Sequence, residues 1–467
     1  MTDHTGQMRI ETDSLGQFDV PVMAAFGSQT QRAVQLYPVA GAGRFSDYPA
    51  LLIAMLRIKK VAAQTNMKIG ALQPDLSVAL VQAIDSVLAD PQAYDFPVHA
   101  LHGGGGISFN MNVNEVLANI ANRRSFSADY GRYAPIHPND HANLNHATSD
   151  CFATACHMAV REVCGELISE ISELSQYLRQ LGAQWAPQRK LARTCLQDAV
   201  DIGFNDYFGG IAAGFDSQLA RVADTAQALR SVNLGGNIIG RPGDCDAAFF
   251  DQILPALNAE LVAAGQPGDL IRASNLFAAS QGHETLLALG AVLDQMARGL
   301  LKFAKDLRLM ASGPHGGLGE IALPAMQPGS SAIPGKINPT VPEFMVQCAM
   351  AACGKGAAIA MTQDHGELDY NPWQAVVVTG LLDMIGLLTS GVASLRVNCL
   401  QGLQPNAARN TDNATSLLPS LIRLKQLKGY SFASDVAKQA QGDLKAVRAA
   451  VIAAQVAATP STKRLVD

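Results

Sequence analysis

The segment Gly329-Ser330-Ser331-Ala332-Ile333-Pro334-Gly335-Lys336-Ile337-Asn338-Pro339 gathers two hydroxyls, one ammonium and one amide in a short stretch. Its flanking glycines let the backbone expose the serine pair. Lys336 supplies a cation, and Asn338 follows two residues later with an amide. Such a loop suits capture of a carboxylate, with a serine beside it to act on a proton. An ordinary Gly/Ser/Pro connection has the same spacing, so spacing alone leaves both readings open.

Other candidates carry less. His137 and His141 stand at i, i+4 with Asp140 between them, a spacing open to metal binding. Pro138 at the start of a helical turn favours a helix-initiating role for the segment instead. Cys195 could serve as a nucleophile, but no base is adjacent in sequence, and a buried inert thiol is the commoner fate of a cysteine. The run His102-Gly103-Gly104-Gly105-Gly106 lacks the Lys-Ser/Thr of a phosphate loop and any strand before it. Asp364-His365-Gly366-Glu367 fits a loop at a bundle end as well as a site.

The serine loop closely resembles the GSSxMPxKxN signature of the aspartase/fumarase superfamily, and the likeness extends along the chain. Arg9-Ile10-Glu11-Thr12-Asp13-Ser14-Leu15-Gly16 and Ser28-Gln29-Thr30-Gln31-Arg32-Ala33 resemble that family's opening. Asn110-Met111-Asn112-Val113-Asn114-Glu115, His137-Pro138-Asn139-Asp140 and Arg193-Thr194-Cys195-Leu196-Gln197-Asp198-Ala199 follow in order. Ala311-Ser312-Gly313-Pro314 and Cys399-Leu400-Gln401-Gly402-Leu403 complete the set, which thins after about Asn410.

This resemblance implies reversible anti-elimination across a Cα–Cβ bond. A base removes the Cβ proton, an electron-withdrawing group stabilises the carbanion, and an amine or water leaves from Cα. Ser330 matches the catalytic serine, and a serine needs a charged, partly dehydrated setting to act as a base. Closure of the Gly-rich loop over substrate is expected to provide it. Lys336, Asn338 and Thr194 match the residues that hold the α-carboxylate, with Ser331 beside them. Glu343 matches the acid that pairs with a histidine in many members. Ser108, Asn110, Thr148 and Ser149 fall in the segments that bind the remainder of the substrate.

Departures from the family pattern shape the substrate expectation. The family's histidine in the Arg-Thr-His-Leu-Gln-Asp-Ala run is Cys195 here, the third expected catalytic position. Its Gly-Thr-Ser-Thr-Asn run reads Gly106-Ile107-Ser108-Phe109-Asn110, and its Ser-Thr-Asn-Asp run reads Ala147-Thr148-Ser149-Asp150. Ile107, Phe109 and Ala147 cannot donate hydrogen bonds to a second carboxylate. Ser149 and Cys195 leave room around the leaving group. The expectation is therefore an apolar wall at Cβ and a bulky amine at Cα. The best fit is the ergothionase reaction, trimethylamine elimination from ergothioneine to give thiolurocanate. The alternative is aspartate ammonia-lyase or class II fumarase-like activity on a four-carbon diacid. A non-catalytic tetrameric scaffold is the reading from another class, disfavoured by intact Ser330, Lys336 and Asn338.

These residues need a scaffold, and the texture of the chain is helical. Leu167, Ile168, Ile171, Leu174, Leu178 and Leu181 recur at helical spacing before Gly182, which reads as a stop. Leu289, Val292, Leu293, Met296, Leu300, Phe303, Leu307 and Met310 continue one face without a proline. Val/Ile/Thr alternation is scarce, so few strands are expected. Ser312 to Asn338 holds six Gly and four Pro, the composition of a long functional loop. The apolar window Ala375–Leu395, interrupted by Asp383, reads as a buried bundle helix rather than a membrane span.

Composition agrees. The 467 residues are 48% hydrophobic and only 16% charged, with a net charge of -5. That excludes a disordered chain and a nucleic-acid footprint, and it favours self-association. Eight cysteines without a CxxC pair suit reduced thiols, and no secretory leader opens the chain, so a cytoplasmic location is expected. The fold class is mainly all-α. The resemblance implies three domains (1–146, a central long-helix bundle 147–396, and a small C-terminal domain 397–467). It further implies a twenty-helix core in a homotetramer with shared active sites. No cofactor, metal, nucleic-acid or membrane partner is expected, only a small carboxylate substrate.

Overall fold

The computed structural model describes residues 6–38 and 43–458. Helices make up 64% of the chain, as the periodicity requires, and its fold is that of the aspartase/fumarase superfamily. The described strands are short and form two-stranded sheets. Two compact units divide the chain. One comprises Met1–Ser169, Ala220–Ala297 and Met350–Thr389; the other Glu170–Leu219, Arg298–Ala349 and Ser390–Asp467.

In the first unit, strands β1 (Met8–Asp13) and β2 (Gly16–Pro21) pair antiparallel ahead of α1 (Ser28–Leu36). Helix α2 (Pro49–Lys68) starts on a proline, whose missing N–H costs nothing at a helix start. It packs on α3 (Pro74–Ala89) and buries Leu51, Leu52, Met55 and Ile58. Helix α4 (Ile107–Phe126) is buried on nearly every side, yet it carries Asn110, Asn112, Asn114, Asn119 and Asn122. Buried amides must find partners. Asn119 donates to Ala25 O at 2.7 Å, while Asn122 both donates to Ile136 O and accepts from Ile136 N. The asparagines thereby fasten the flanking loops to the helix.

The long helices follow, with one short helix among them: α5 (Thr148–Gln184), α6 (Phe204–Ala228), α7 (Ala247–Ala263), the short α8 (Leu276–Gln281), α9 (Glu284–Met310), α10 (Thr340–Met361) and α11 (Gln374–Asn398). The two apolar stripes read from the sequence lie on α5 and α9, where Leu174, Leu178, Leu293, Leu300 and Leu307 are fully buried. Gly182 does not stop α5, which begins well before Gly165 and runs two residues past the glycine. Its N-terminal third is too mixed in polarity to show a clean stripe. Both α10 and α11 are long and apolar enough to cross a membrane by length and composition alone. In α11, 61% of the most apolar window is buried within the protein; in α10, 33% is.

In the second unit, β3 (Arg189–Thr194) and β4 (Gln197–Gly203) form a hairpin. Helices α12 (Ala407–Ala414), α13 (Leu417–Lys428), α14 (Tyr430–Ala440) and α15 (Leu444–Ala458) follow α11. Leu424, Ala433, Val451 and Ala454 make a small separate core among the last three.

Candidate active site

The expected site residues fall into two groups, one in each unit. In the first unit, the glycine run sets the head of α4. Gly104, Gly105 and Gly106 have φ of 83°, 61° and 96°, left-handed values that side chains resist. A Cβ on Gly106 would also lie 2.2 Å from the Phe152 ring. No side chain caps α4; Ile107 N donates to Gly104 O at 3.3 Å and Asn110 N to Gly106 O at 3.1 Å, which leaves the amides of Ser108 and Phe109 between them for another acceptor.

Asn110, one turn into α4, spends both amide hydrogens inside the protein. It donates to Thr148 Oγ1 at 2.9 Å and to Asn143 Oδ1 at 2.9 Å. Its Oδ1 faces the Cys151 thiol. Asn110 is thus a strut rather than a free substrate ligand. The acceptor side of the Thr148 hydroxyl is engaged by Asn110, which leaves its own proton to donate. Ser149 is different: its hydroxyl contacts the carbonyls of Asn237 (2.7 Å) and Ile238. Ser108 is buried one residue beyond the helix start.

The apolar wall expected at Ile107, Phe109 and Ala147 is not a unit. Ile107 is 41% exposed, but Phe109 is 0% exposed and packs against Phe45, with ring centroids 4.0 Å apart, and against Phe152 at 5.3 Å. Phe109 therefore belongs to the core and cannot face a substrate. Alternation of sides along a helix explains the difference: Ile107 and Phe109 stand two residues apart, about 200° around the axis.

Asp150 anchors this group from behind. Its carboxylate accepts from Ala147 N at 2.9 Å, Gly235 N at 3.0 Å and Asn237 N at 3.1 Å. Burial pushes its pKa up to about 6 despite those donors. The loop 233–240 is thereby held against the head of α5. Sequence reasoning missed it, although the Gly235-Gly236 pair between two helical stretches was a visible sign. His137 and His141 close a turn: His141 Nδ1 accepts from His137 N at 2.8 Å, and His137 Nδ1 accepts from Asn139 N. They cap backbone, as the helix-initiating reading supposes. The Asp364 side chain lies outside the described residues.

In the second unit, Ser330 sits half-buried within the serine loop. Its Oγ accepts from Ala332 N at 3.1 Å and Ile333 N at 3.0 Å. Two backbone donors on one hydroxyl oxygen favour the alkoxide, the form a serine base must reach. The loop is closed by Gly329 N donating to Lys336 O at 2.9 Å and by Asn338 Nδ2 donating to Gly329 O at 2.6 Å. A Cβ at Gly329 would lie 2.5 Å from Lys336 O. Asn338 therefore shapes the loop, while Ser331 and Lys336 are exposed.

Thr194 and Cys195 occupy the tip of the β3–β4 hairpin. Thr194 pairs with Gln197 across a two-residue turn, and Cys195 (φ 52°) and Leu196 (φ 61°) are both left-handed. The hairpin is rooted by Arg193, whose Nη1 lies 2.7 Å from the fully buried Glu320 Oε1. Asn410 donates to the Glu320 carbonyl and Asn413 to its carboxylate. One buried acid thus fixes both the hairpin and the start of the loop that carries Ser330. Glu343, expected beside a histidine, instead pairs with Arg308 at 3.2 Å.

Comparison with known proteins agrees with this chemistry. A family model described as Lyase matches residues 16–354. The chain is 36% identical to fumarate hydratase class II 1 of Pseudomonas aeruginosa over 446 residues, covering 95% of this chain and 94% of that protein. It is 34% identical to aspartate ammonia-lyase of a Bacillus species over 433 residues, covering 93% and 91%. Among solved structures, class II fumarase from Schistosoma mansoni superposes with a TM-score of 0.90 at 27% identity, covering 96% of each chain. Fumarate lyase:delta crystallin from Brucella melitensis, bound to cobalt, gives 0.88 at 33% identity, covering 97% of this chain and 100% of that one. A match of this extent, to the family model and to both kinds of relative, places the chain in the Lyase family of the aspartase/fumarase superfamily.

Proposed function

We propose that this lyase reversibly eliminates water or ammonia across the Cα–Cβ bond of a four-carbon dicarboxylic acid, with fumarate as the unsaturated partner. The observation that carries the reading is Ser330, whose Oγ accepts two backbone N–H bonds within the Gly329–Asn338 loop. In this reading Ser330 removes the Cβ proton, while Lys336 and Thr194 hold the α-carboxylate. Thr148 and the uncapped head of α4, supplied by another copy of the chain, hold the β-carboxylate, where charge develops as the proton leaves. Backbone amides and one hydroxyl thus stand in for the side-chain donors that Ile107 and Ala147 lack.

Relatives named as fumarate hydratase and aspartate ammonia-lyase support this reading over trimethylamine elimination from ergothioneine. Ergothioneine remains a second reading because of one observation: Ile107, exposed at the head of α4. A homotetramer with shared sites is part of the same proposal. It is supported by α10, an apolar helix on which Phe344, Met350 and Met361 are exposed.

The test is direct. Malate, aspartate and ergothioneine are offered side by side, and the ultraviolet absorbance of a conjugated product is followed. Turnover of malate or aspartate is expected. Turnover of ergothioneine alone would replace the dicarboxylate reading, and a stable monomer in light scattering would remove the shared site.

A further inference from the structure

Lys59, on α2, is a lysine 2% exposed to solvent, and among the described residues its ammonium meets an amide oxygen and an imidazole rather than a carboxylate. Such a charge is costly to bury and needs a reason. Its Nζ lies 2.9 Å from Asn143 Oδ1 and 2.8 Å from His146 Nε2. His146 Nδ1 faces the Leu144 carbonyl at 2.9 Å, an acceptor only, so Nδ1 carries the ring hydrogen. Nε2 is therefore a lone pair that accepts from Lys59, and the imidazole is neutral. Burial also drives the His146 pKa well below the usual range.

Asn143 Oδ1 is the junction. It accepts from Lys59, from Asn110 at 2.9 Å and from Asn114 at 3.2 Å. Asn110 then gives its second hydrogen to Thr148. A chain of three hydrogen bonds runs Lys59–Asn143–Asn110–Thr148. The helix presenting Lys59 also presents Asn66 two turns later, which donates to Leu144 O and accepts from Asn145. Helix α2 thus holds the whole 143–146 loop. Asp150 is the charged group that acts on Lys59; His146 and Cys151 are its other ionisable neighbours. The Asp150 carboxylate is turned to backbone donors, and burial keeps Cys151 a neutral thiol, its pKa pushed up to about 12.

We propose that Lys59 is a positioning residue for the carboxylate end of the site. Through Asn143 and Asn110 it fixes the Thr148 hydroxyl as a donor, and its buried charge offsets Asp150, so that a substrate carboxylate can bind there. The inference rests on the dicarboxylate reading above. Nothing in the serine-loop chemistry requires Lys59, and its role is confined to the second carboxylate.

Two unreactive probes separate that role from a structural one. Succinate carries two carboxylates; butyrate has the same chain with only one. Calorimetry on the intact protein measures both for wild type, Lys59→Met, Thr148→Val and the double variant. Lys59→Met should weaken succinate about tenfold or more and leave butyrate within about twofold. In the Thr148→Val background the same change should cost much less, because the chain it acts through is already cut. An equal loss for both probes, or no loss for either, overturns the proposal. A wild-type protein that does not distinguish succinate from butyrate overturns it together with the dicarboxylate reading. Unchanged succinate binding in Lys59→Met, beside a clear wild-type preference, overturns the Lys59 role alone. Should the methionine variant not fold, Lys59→Gln carries the same comparison.

Discussion

Asn110 and Thr148 are joined by a 2.9 Å hydrogen bond in which the amide donates and the hydroxyl accepts. The direction matters. It leaves the Thr148 proton uncommitted and makes Thr148, rather than Asn110, the group able to reach a bound anion. Removing the hydroxyl while keeping the shape, as in Thr148→Val, should raise KM about 10- to 100-fold, the worth of a hydrogen bond to a charged group. Stability should fall by about 1–3 kcal/mol, because the buried Asn110 amide loses an acceptor. A KM unchanged in steady-state assays would mean that the anion binds elsewhere.

Ser330→Ala removes the oxygen that accepts from Ala332 N and Ile333 N. Turnover should fall about 1,000-fold or more, since no other hydroxyl in the loop has this pair of donors. Ser331→Ala should keep most activity, because Ser331 is exposed and outside that pair. Equal losses in the two variants, measured as kcat, would mean that the base is shared or misassigned.

How far the site could be read from sequence depends on how local each constraint is. The loop Gly329–Asn338 was legible because its chemistry, its glycines and its closing bonds all lie within ten residues. The α9 stripe was legible because burial there follows one period. Phe109 was not: a hydroxyl-to-aromatic change in a site segment suggests a site wall, but only the positions of Phe45 and Phe152 reveal a core. Lys59 was invisible for the same reason. It sits among Ile58, Lys60 and Val61 in an ordinary amphipathic helix, and its partners Asn143 and His146 lie more than eighty residues away. Asn338 matches a carboxylate ligand by its place in the motif, whereas its amide spans the loop.

The hairpin tip holds strain that a substitution should relieve. Cys195 and Leu196 both adopt left-handed backbone, which costs a side-chain-bearing residue about 1–2 kcal/mol. Leu196 is 76% exposed, so its side chain gives up little burial. Leu196→Gly should therefore raise stability by about 0.5–1 kcal/mol after the extra entropy of glycine in the unfolded chain. Denaturant midpoints at matched protein concentration test this. A destabilised variant would show that Leu196 is packed against another copy of the chain.

Lys59 gives the protein a stability term with a defined sign in pH. Burial pulls its pKa down from 10.5 to about 8, with the Asp150 carboxylate opposing the shift. The unfolded chain then binds more protons than the folded one between about pH 8 and 10.5, so this term stabilises the fold as pH rises through that window. Below pH 8 the folded protein carries the full cost of the buried ammonium, of order 3 kcal/mol. Buried thiols and phenols titrate with the opposite sign over the same range, so the absolute profile of the wild type is not diagnostic. The difference from Lys59→Met is. The methionine variant lacks the lysine term but retains the others, so its stability relative to wild type should be greatest near pH 7 and should shrink by pH 10. Paired denaturant titrations at the two pH values measure that difference directly. A difference that does not change with pH would mean that Lys59 is not a costly buried cation, and with it would go the offset of Asp150 that the carboxylate end requires.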